Sequence, residues 1–208
     1  MKIVKVYTLK SRGAYAASEH WKNTRNQIHD AIRRCEWPVG SGSFTIYPES
    51  GKGRGEGNGV KPIRDRFVQS LQVDGWTIEG SAKKALDERL GDFDAVLRGP
   101  EKPIAVEWET GDICSPHRSM NKLTLLLKSQ VISAGVLVVP SRTLCVHLPD
   151  RIGYIDEIGP YFVLWKSVRC RGGVLEIVVF EHDAISKDVP RIPKGTGVGR
   201  RSKKAPIR

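Results

Sequence analysis

The stretch Asp92-Phe93-Asp94-Ala95-Val96-Leu97-Arg98-Gly99-Pro100-Glu101-Lys102-Pro103-Ile104-Ala105-Val106-Glu107-Trp108-Glu109 decides how this chain folds. Two β-rich runs, 92–97 and 104–109, flank a connection holding one glycine and two prolines, which reads as a hairpin. Strand residues alternate between faces, so Ile104, Val106 and Trp108 share one side and Ala105, Glu107 and Glu109 the other. With the turn centred between Pro100 and Glu101, Asp94 falls directly opposite Glu107, at the ~4.5–5.5 Å Cβ separation of cross-strand partners. Carboxylates gathered on one face repel, and without a cation at least one is driven toward its protonated form. Oxygen ligands without His or Cys favour Mg²⁺. The competing reading is an exposed edge hairpin, where acids cost nothing. Overall charge weighs against it, because a basic protein gains nothing by presenting acids to a polyanion unless a metal inverts the local charge.

Working outward, Ser115 is placed to cap, and Pro116 to open, a helix running to about Lys128 with Met120, Leu123, Leu126 and Leu127 on its apolar stripe. The near-continuous apolar run 134–140 reads as a strand covered on both faces, and 162–165 and 174–180 as two further strands. Upstream, 3–7 forms a short strand, and Ser18 caps a helix with Trp21, Ile28, Ala31, Ile32 and Cys35 on its 3.6-residue period, ended by Trp37-Pro38. Segment 51–59 is glycine-rich but lacks the strand, turn and helix of a phosphate loop. Ile63, Phe67 and Leu71 mark another helix before a break at Gly75-Trp76. The expected architecture is α/β: a central mixed sheet of five to six strands flanked by helices, as one domain over 1–190 followed by a basic arm over 191–208.

Composition bounds the function. With 39% apolar and 27% charged residues over 208 positions the chain is globular, and no apolar run approaches the roughly 18 residues of a membrane span. The first twenty residues lack a signal peptide's apolar core, so a cytoplasmic location is expected. Cys35, Cys114, Cys145 and Cys170 are widely spaced, which implies free thiols rather than a zinc site. The net charge of +11 points to nucleic acid. From Val189 onward there are seven basic residues and no acid, which reads either as a solubilising tail or as a phosphate-binding arm. His117 reads as a helix residue near the site or a dimer face, and His182 as part of a surface loop.

The run from Val106 to Leu123, Val-Glu-Trp-Glu-Thr-Gly-Asp-Ile-Cys-Ser-Pro-His-Arg-Ser-Met-Asn-Lys-Leu, resembles the active-site strand and following helix of the BamHI restriction endonuclease family. The likeness continues through Asp150-Arg151, Pro160-Tyr161-Phe162 and residues 189–195, and upstream through Trp37-Pro38, Phe44-Thr45-Ile46 and Asn58-Gly59-Val60. That family is similar to the wider PD-(D/E)XK nucleases but ends its acid pair on Glu instead of Lys, as Glu109 does here. The resemblance implies an Mg²⁺-dependent, restriction-endonuclease-like enzyme in which Asp94 and Glu107 ligate metal, Glu109 orients or deprotonates water, and Glu79 of Trp76-Thr77-Ile78-Glu79 is a further acidic ligand. It also implies DNA contacts from Asp112, Cys114, Arg118, Asp150, Arg151 and the loop Lys194-Gly195-Thr196-Gly197. A homodimer built on the helix from Pro116, a palindromic duplex target and a cognate methyltransferase follow from the same likeness.

Where this chain has Asp112 and Cys114 the family has Asn and Ser, and near Gly197 it has an Asp. A carboxylate cannot donate as an amide does, so the inner bases of the target are expected to differ from the family's GGATCC. The alternatives are a repair or phage nuclease on the same fold and a non-catalytic DNA-binding protein. The latter would have lost one of Asp94, Glu107 and Glu109, and all three are present.

Overall fold

A computed structural model describes residues 1–49, 53, 56–78 and 92–194 of the chain. Strand β1 (Lys2–Arg12) is followed by helices α1 (Gly13–Ala17) and α2 (Glu19–Arg33), strand β2 (Thr45–Ile46) and helix α3 (Lys61–Val73). Strand β3 (Thr77–Ile78), the hairpin strands β4 (Ala95–Leu97) and β5 (Ile104–Trp108), helix α4 (Cys114–Lys128) and strand β6 (Ala134–Pro140) come next. Short helices α5 (Arg142–Cys145) and α6 (Ile155–Ile158), helix α7 (Phe162–Ser167) and strands β7 (Gly173–Glu181) and β8 (Ala184–Ile185) complete the order. Six strands form one mixed sheet in the order β1-β7-β6-β5-β4-β3, while β2 and β8 pair separately.

The hairpin register is the one read from the turn: Ala95 pairs with Val106 and Leu97 with Ile104. Its alternation sorts the core into two layers. Ile104, Val106 and Trp108 join Ile28, Phe67 and Leu71 of α2 and α3, whereas Ala105 joins Met120, Leu123 and Leu127 of α4. Strand β6, parallel to both β5 and β7, is buried along its whole length. Ser18 caps α2 by accepting from the Trp21 amide.

Three expectations need correction. Strand β1 extends well beyond residue 7, to Arg12, because it pairs with β7 from Lys2↔Glu181 to Arg12↔Gly173. Residues 162–165 are helical, not extended. Burial explains the difference: Trp165 is inside while Val163 and Leu164 face out, a helical rhythm that an all-apolar tetrapeptide conceals. His182 is no surface loop residue; it is 5% exposed and packs edge-on against His147.

His29, on α2, has a half-buried ring whose Nε2 has no partner among the described residues. Burial, reinforced by Arg25 and Arg33, lowers its pKa to about 4. The unfolded chain therefore binds a proton that the fold refuses, so stability is full above the ordinary value of 6.5 and falls as pH drops toward 4. Replacing His29 by Gln should remove on the order of 1 kcal/mol of that acid-side loss after allowance for partial exposure, read from urea melts at pH 7.5 and 4.5. Identical pH slopes in the two proteins would refute it.

Candidate active site and DNA interface

The hairpin ends where the acids begin. Trp108 anchors this point by packing between Phe180, at a centroid distance of 4.2 Å, and Phe67, at 4.7 Å. Its backbone N–H donates to Asp94 Oδ2 at 2.6 Å, and Asp94 Oδ1 accepts from Arg64 Nε at 2.8 Å. Glu107 pairs with Lys122 of α4, in an ion pair whose side chains are only 7% and 10% exposed. Lys122 also donates to the Asp92 carbonyl at 2.7 Å and lies over the Phe93 ring. Glu109, 8% exposed, accepts from the Ser119 hydroxyl, and its amide donates to the Val138 carbonyl at 2.8 Å.

Burial pushes the Glu107 carboxyl up to about 7 against the pull of Lys122, and the Asp94 charge adds to the rise. Glu109 is raised for the same first reason, opposed by the Ser119 hydroxyl and again pushed up by Asp94. The three acids therefore share one electrostatic neighbourhood. They do not converge as a tight ligand triad: among the described residues no three His, Cys, Asp or Glu side chains form a metal-holding group. Arg64 occupies Asp94 and Lys122 occupies Glu107. A cluster of acids, two of them buried and two of them already drawing a guanidinium and an ammonium, fits a divalent cation held by oxygen donors. Glu79 lies outside the described residues.

The strand-to-helix connection corrects the capping assignment. Ser115 lies within α4, and Asp112 takes the capping role: its Oδ1 accepts from the Cys114 amide (3.1 Å), the Ser115 amide (3.1 Å) and the Ser115 hydroxyl (3.2 Å). Asp112→Ala should cost about 1 kcal/mol, and Asp112→Asn, which keeps an accepting oxygen, much less. Thermal melts of the two variants decide it; equal losses would remove the capping role.

The loop that follows Glu109 is tied into other loop segments of the chain. Asp112 bridges to Ile152, and the Gly153 amide donates to the Gly111 carbonyl at 3.0 Å. A Cβ on Gly153 would stand 2.7 Å from Pro116 Cγ, so only glycine lets this loop press on the start of α4. Arg151 is held at φ 68° with its side chain 83% exposed, and Asp150, Cys114 and Arg118 are exposed as well. Asn58, fully buried, ties the rest: its Nδ2 donates to the Tyr47 and His147 carbonyls, and its Oδ1 accepts from the Ile192 amide. Ile192 is itself in the core, and Lys194 Nζ donates to the Glu56 carbonyl at 2.6 Å. The expected contacts at Gly195, Thr196 and Gly197, and the remaining arm, lie outside the described residues.

Arg64, Ser119, Lys122 and Asn58 carry this arrangement without a role having been assigned to them from the sequence. Ser119 and Lys122 follow one another at a helical spacing of three, on the α4 face that the Glu107 strand meets. That spacing was the available signal.

The family model described as Restriction endonuclease BamHI matches residues 1–199. The chain is 41% identical over 171 residues to the type II restriction enzyme OkrAI of Oceanobacter kriegii, covering 82% of this chain and 86% of that protein. It is 33% identical over 188 residues to the type II restriction enzyme BamHI of Bacillus amyloliquefaciens, covering 85% and 83%. Among solved structures, restriction endonuclease BglII in complex with a DNA 16-mer superposes with a TM-score of 0.60 at 10% identity, over 88% of this chain and 79% of that one, a likeness of fold. With a paired-acid hairpin, the helix that braces it and these relatives, the chain belongs to the BamHI family of type II restriction endonucleases.

Proposed function

We propose that this protein hydrolyses phosphodiester bonds of duplex DNA at a short palindromic site related to GGATCC, with Mg²⁺ as cofactor. The observation that carries this reading is the pair of buried acids, Glu107 and Glu109, at the end of β5, both with raised proton affinity beside Asp94. Asp94 and Glu107, with Glu79 as a third donor, would hold the cation. When bound, it supplies positive charge at the attacked phosphate and eases deprotonation of water. Glu109, fixed through one oxygen by Ser119, uses the other to orient the attacking water and take its proton. Ser119 thereby acts as a positioning residue.

Arg151 and Asp150 read the outer G·C pair, since a guanidinium matches guanine O6 and N7 and an acid accepts from cytosine N4. Arg118, Cys114 and Asp112 face the inner pairs. Because Asp112 is an acceptor already engaged as a cap, the target departs from GGATCC at an inner pair. Digesting a randomised plasmid library with Mg²⁺ and sequencing the ends tests this directly. Strict GGATCC ends defeat the inner-pair assignment, outer pairs other than G·C defeat the role of Arg151, and no cleavage with any divalent ion defeats the function.

Two copies match a palindrome by symmetry. Helices α4 and α7 supply the dimer face: joined by the Trp165 indole donating to Asn121 at 2.9 Å and by His117 against Tyr161, they expose Leu125, Tyr161, Val163 (74%) and Leu164. Among the described residues no helix is long and apolar enough to cross a membrane. A cytoplasmic enzyme paired with a cognate methyltransferase is the corresponding cellular arrangement. The domain over 1–190 carries the chemistry; the arm over 191–208 begins with Arg191 paired to Glu49 and Ile192 seated in the core, and its basic residues from Lys194 onward add phosphate affinity. Truncation after Pro193 should weaken specific and non-specific binding alike and flatten the slope of log K against log salt by about 0.9 for each phosphate no longer neutralised. An unchanged slope would make the arm a solubilising tail.

A further inference from the structure

Many cations on this surface have acids beside them. Lys2 pairs with Glu181, Lys22 with Glu19, Arg33 with Asp30, Arg34 with Asp74, Lys61 with Asp65, Arg66 with Glu36 and Arg191 with Glu49. In one region cations without such partners are clustered. Arg12, Lys128, Arg169 and Arg171, all exposed, have no ion-pair partner among the described residues. Together with Cys170 they line a broad, open cleft of about 660 Å³ with no acid in its lining.

The cleft is built by the fold. Arg12 ends β1 opposite Gly173 at the start of β7, Lys128 ends α4, and Arg169 and Arg171 sit in the turn between α7 and β7. Gly173 sits at φ +115°, and a Cβ there would meet the Ser133 carbonyl at 2.6 Å, so the Arg171 turn is held tightly against the sheet. Arg12 and Arg171 also border an adjoining cavity of about 390 Å³, where His20 and Lys102 extend the basic lining and Glu101 is the acid present. This ground lies at the opposite end of the strands from the catalytic acids. Along helix α4, Ser119 and Lys122, which hold Glu109 and Glu107, stand about 9–14 Å from Lys128 at its end.

We infer that this cleft binds the phosphodiester backbone of a second DNA segment, apart from the duplex held at the cleavage site. Clustered like charges oppose folding unless a counter-anion compensates them. Their spread across two adjoining concavities fits a row of phosphates better than a single small anion. Four side chains without acid partners give the interaction its strength and make it steeply salt-dependent.

The test uses the full-length enzyme in Ca²⁺, saturated with a short unlabelled duplex carrying the site found by library digestion. A labelled, unrelated 30-bp duplex is then added and followed by anisotropy. The wild type should bind it, and Arg169→Glu with Arg171→Glu should raise its Kd at least tenfold and lower the salt slope by roughly 2. Arg12→Glu, at an independent place in the chain, should weaken it in the same direction, with melting temperatures confirming folded protein. Both variants should cleave the short site-bearing duplex within about twofold of wild type, which keeps this result separate from the proposed nuclease function. Absence of a second binding event, indifference to the substitutions, or displacement of the labelled duplex by equal millimolar inorganic phosphate would each overturn the inference.

Discussion

Glu107→Ala should reduce DNA cleavage by three orders of magnitude or more while leaving duplex binding intact or stronger. Glu107 is both a cation ligand in the proposed mechanism and the partner of a buried ammonium, and its removal takes a negative charge away from the path of the phosphate. The same substitution strands Lys122, whose remaining contacts are the Asp92 carbonyl and the Phe93 ring. Breaking a buried pair by deleting one partner costs about 3–5 kcal/mol, so the alanine variant must be checked for folding by circular dichroism. Glu107→Gln is the companion measurement. It keeps the shape and a hydrogen-bond acceptor for Lys122, stays closer to wild-type stability, and should still be inactive because an amide is a poor ligand for a hard cation. Cleavage near the wild-type rate in folded Glu107→Gln would sink the assignment of this carboxylate.

Trp108→Ala should produce a stability loss of comparable size. The indole is 3% exposed and packs between Phe180 and Phe67, so its loss opens a void between the hairpin and the layer formed by α2 and α3. Large-to-small changes of this kind cost about 3–5 kcal/mol. For a chain of this length that corresponds to a fall in Tm of roughly 6–20 °C. Activity should fall further than the unfolded fraction explains, because the Trp108 amide holds Asp94 and its neighbours on either side are Glu107 and Glu109. Trp108→Phe should recover most of the stability. A loss below 1 kcal/mol in the alanine variant would contradict the packing described for this residue.

Local chemistry made the hairpin legible in the sequence. One glycine and two prolines set the turn, the period of two set the faces, and the register of Ala95 against Val106 follows from both. The helices at Ser18 and Ile63 and the buried strand 134–140 were readable for the same reason, since capping oxygens and apolar periods are properties of short segments. The three acids could be placed on one edge because strand geometry alone carries them there. Basic excess gave the class of partner, and the run from Val106 to Leu123 gave the family.

Tertiary structure decided what each acid touches. Arg64 reaches Asp94 across 30 positions and Lys122 reaches Glu107 across 15, distances at which no local periodicity operates. Asp112, read as a base contact, is also a helix cap because the chain turns back on itself at Gly111 and brings its carboxylate over the first amides of α4. Residues 162–165 look like a strand in isolation and are helical because Phe162 and Trp165, three apart, turn to the core while Val163 and Leu164 face out. The unpaired basic cleft joins residues from position 12 to 171, a juxtaposition created when β1 runs antiparallel along β7. Sequence thus determined the elements and the chemical types at the site, whereas long-range packing determined which charges are buried, which are partnered and which are left facing solvent.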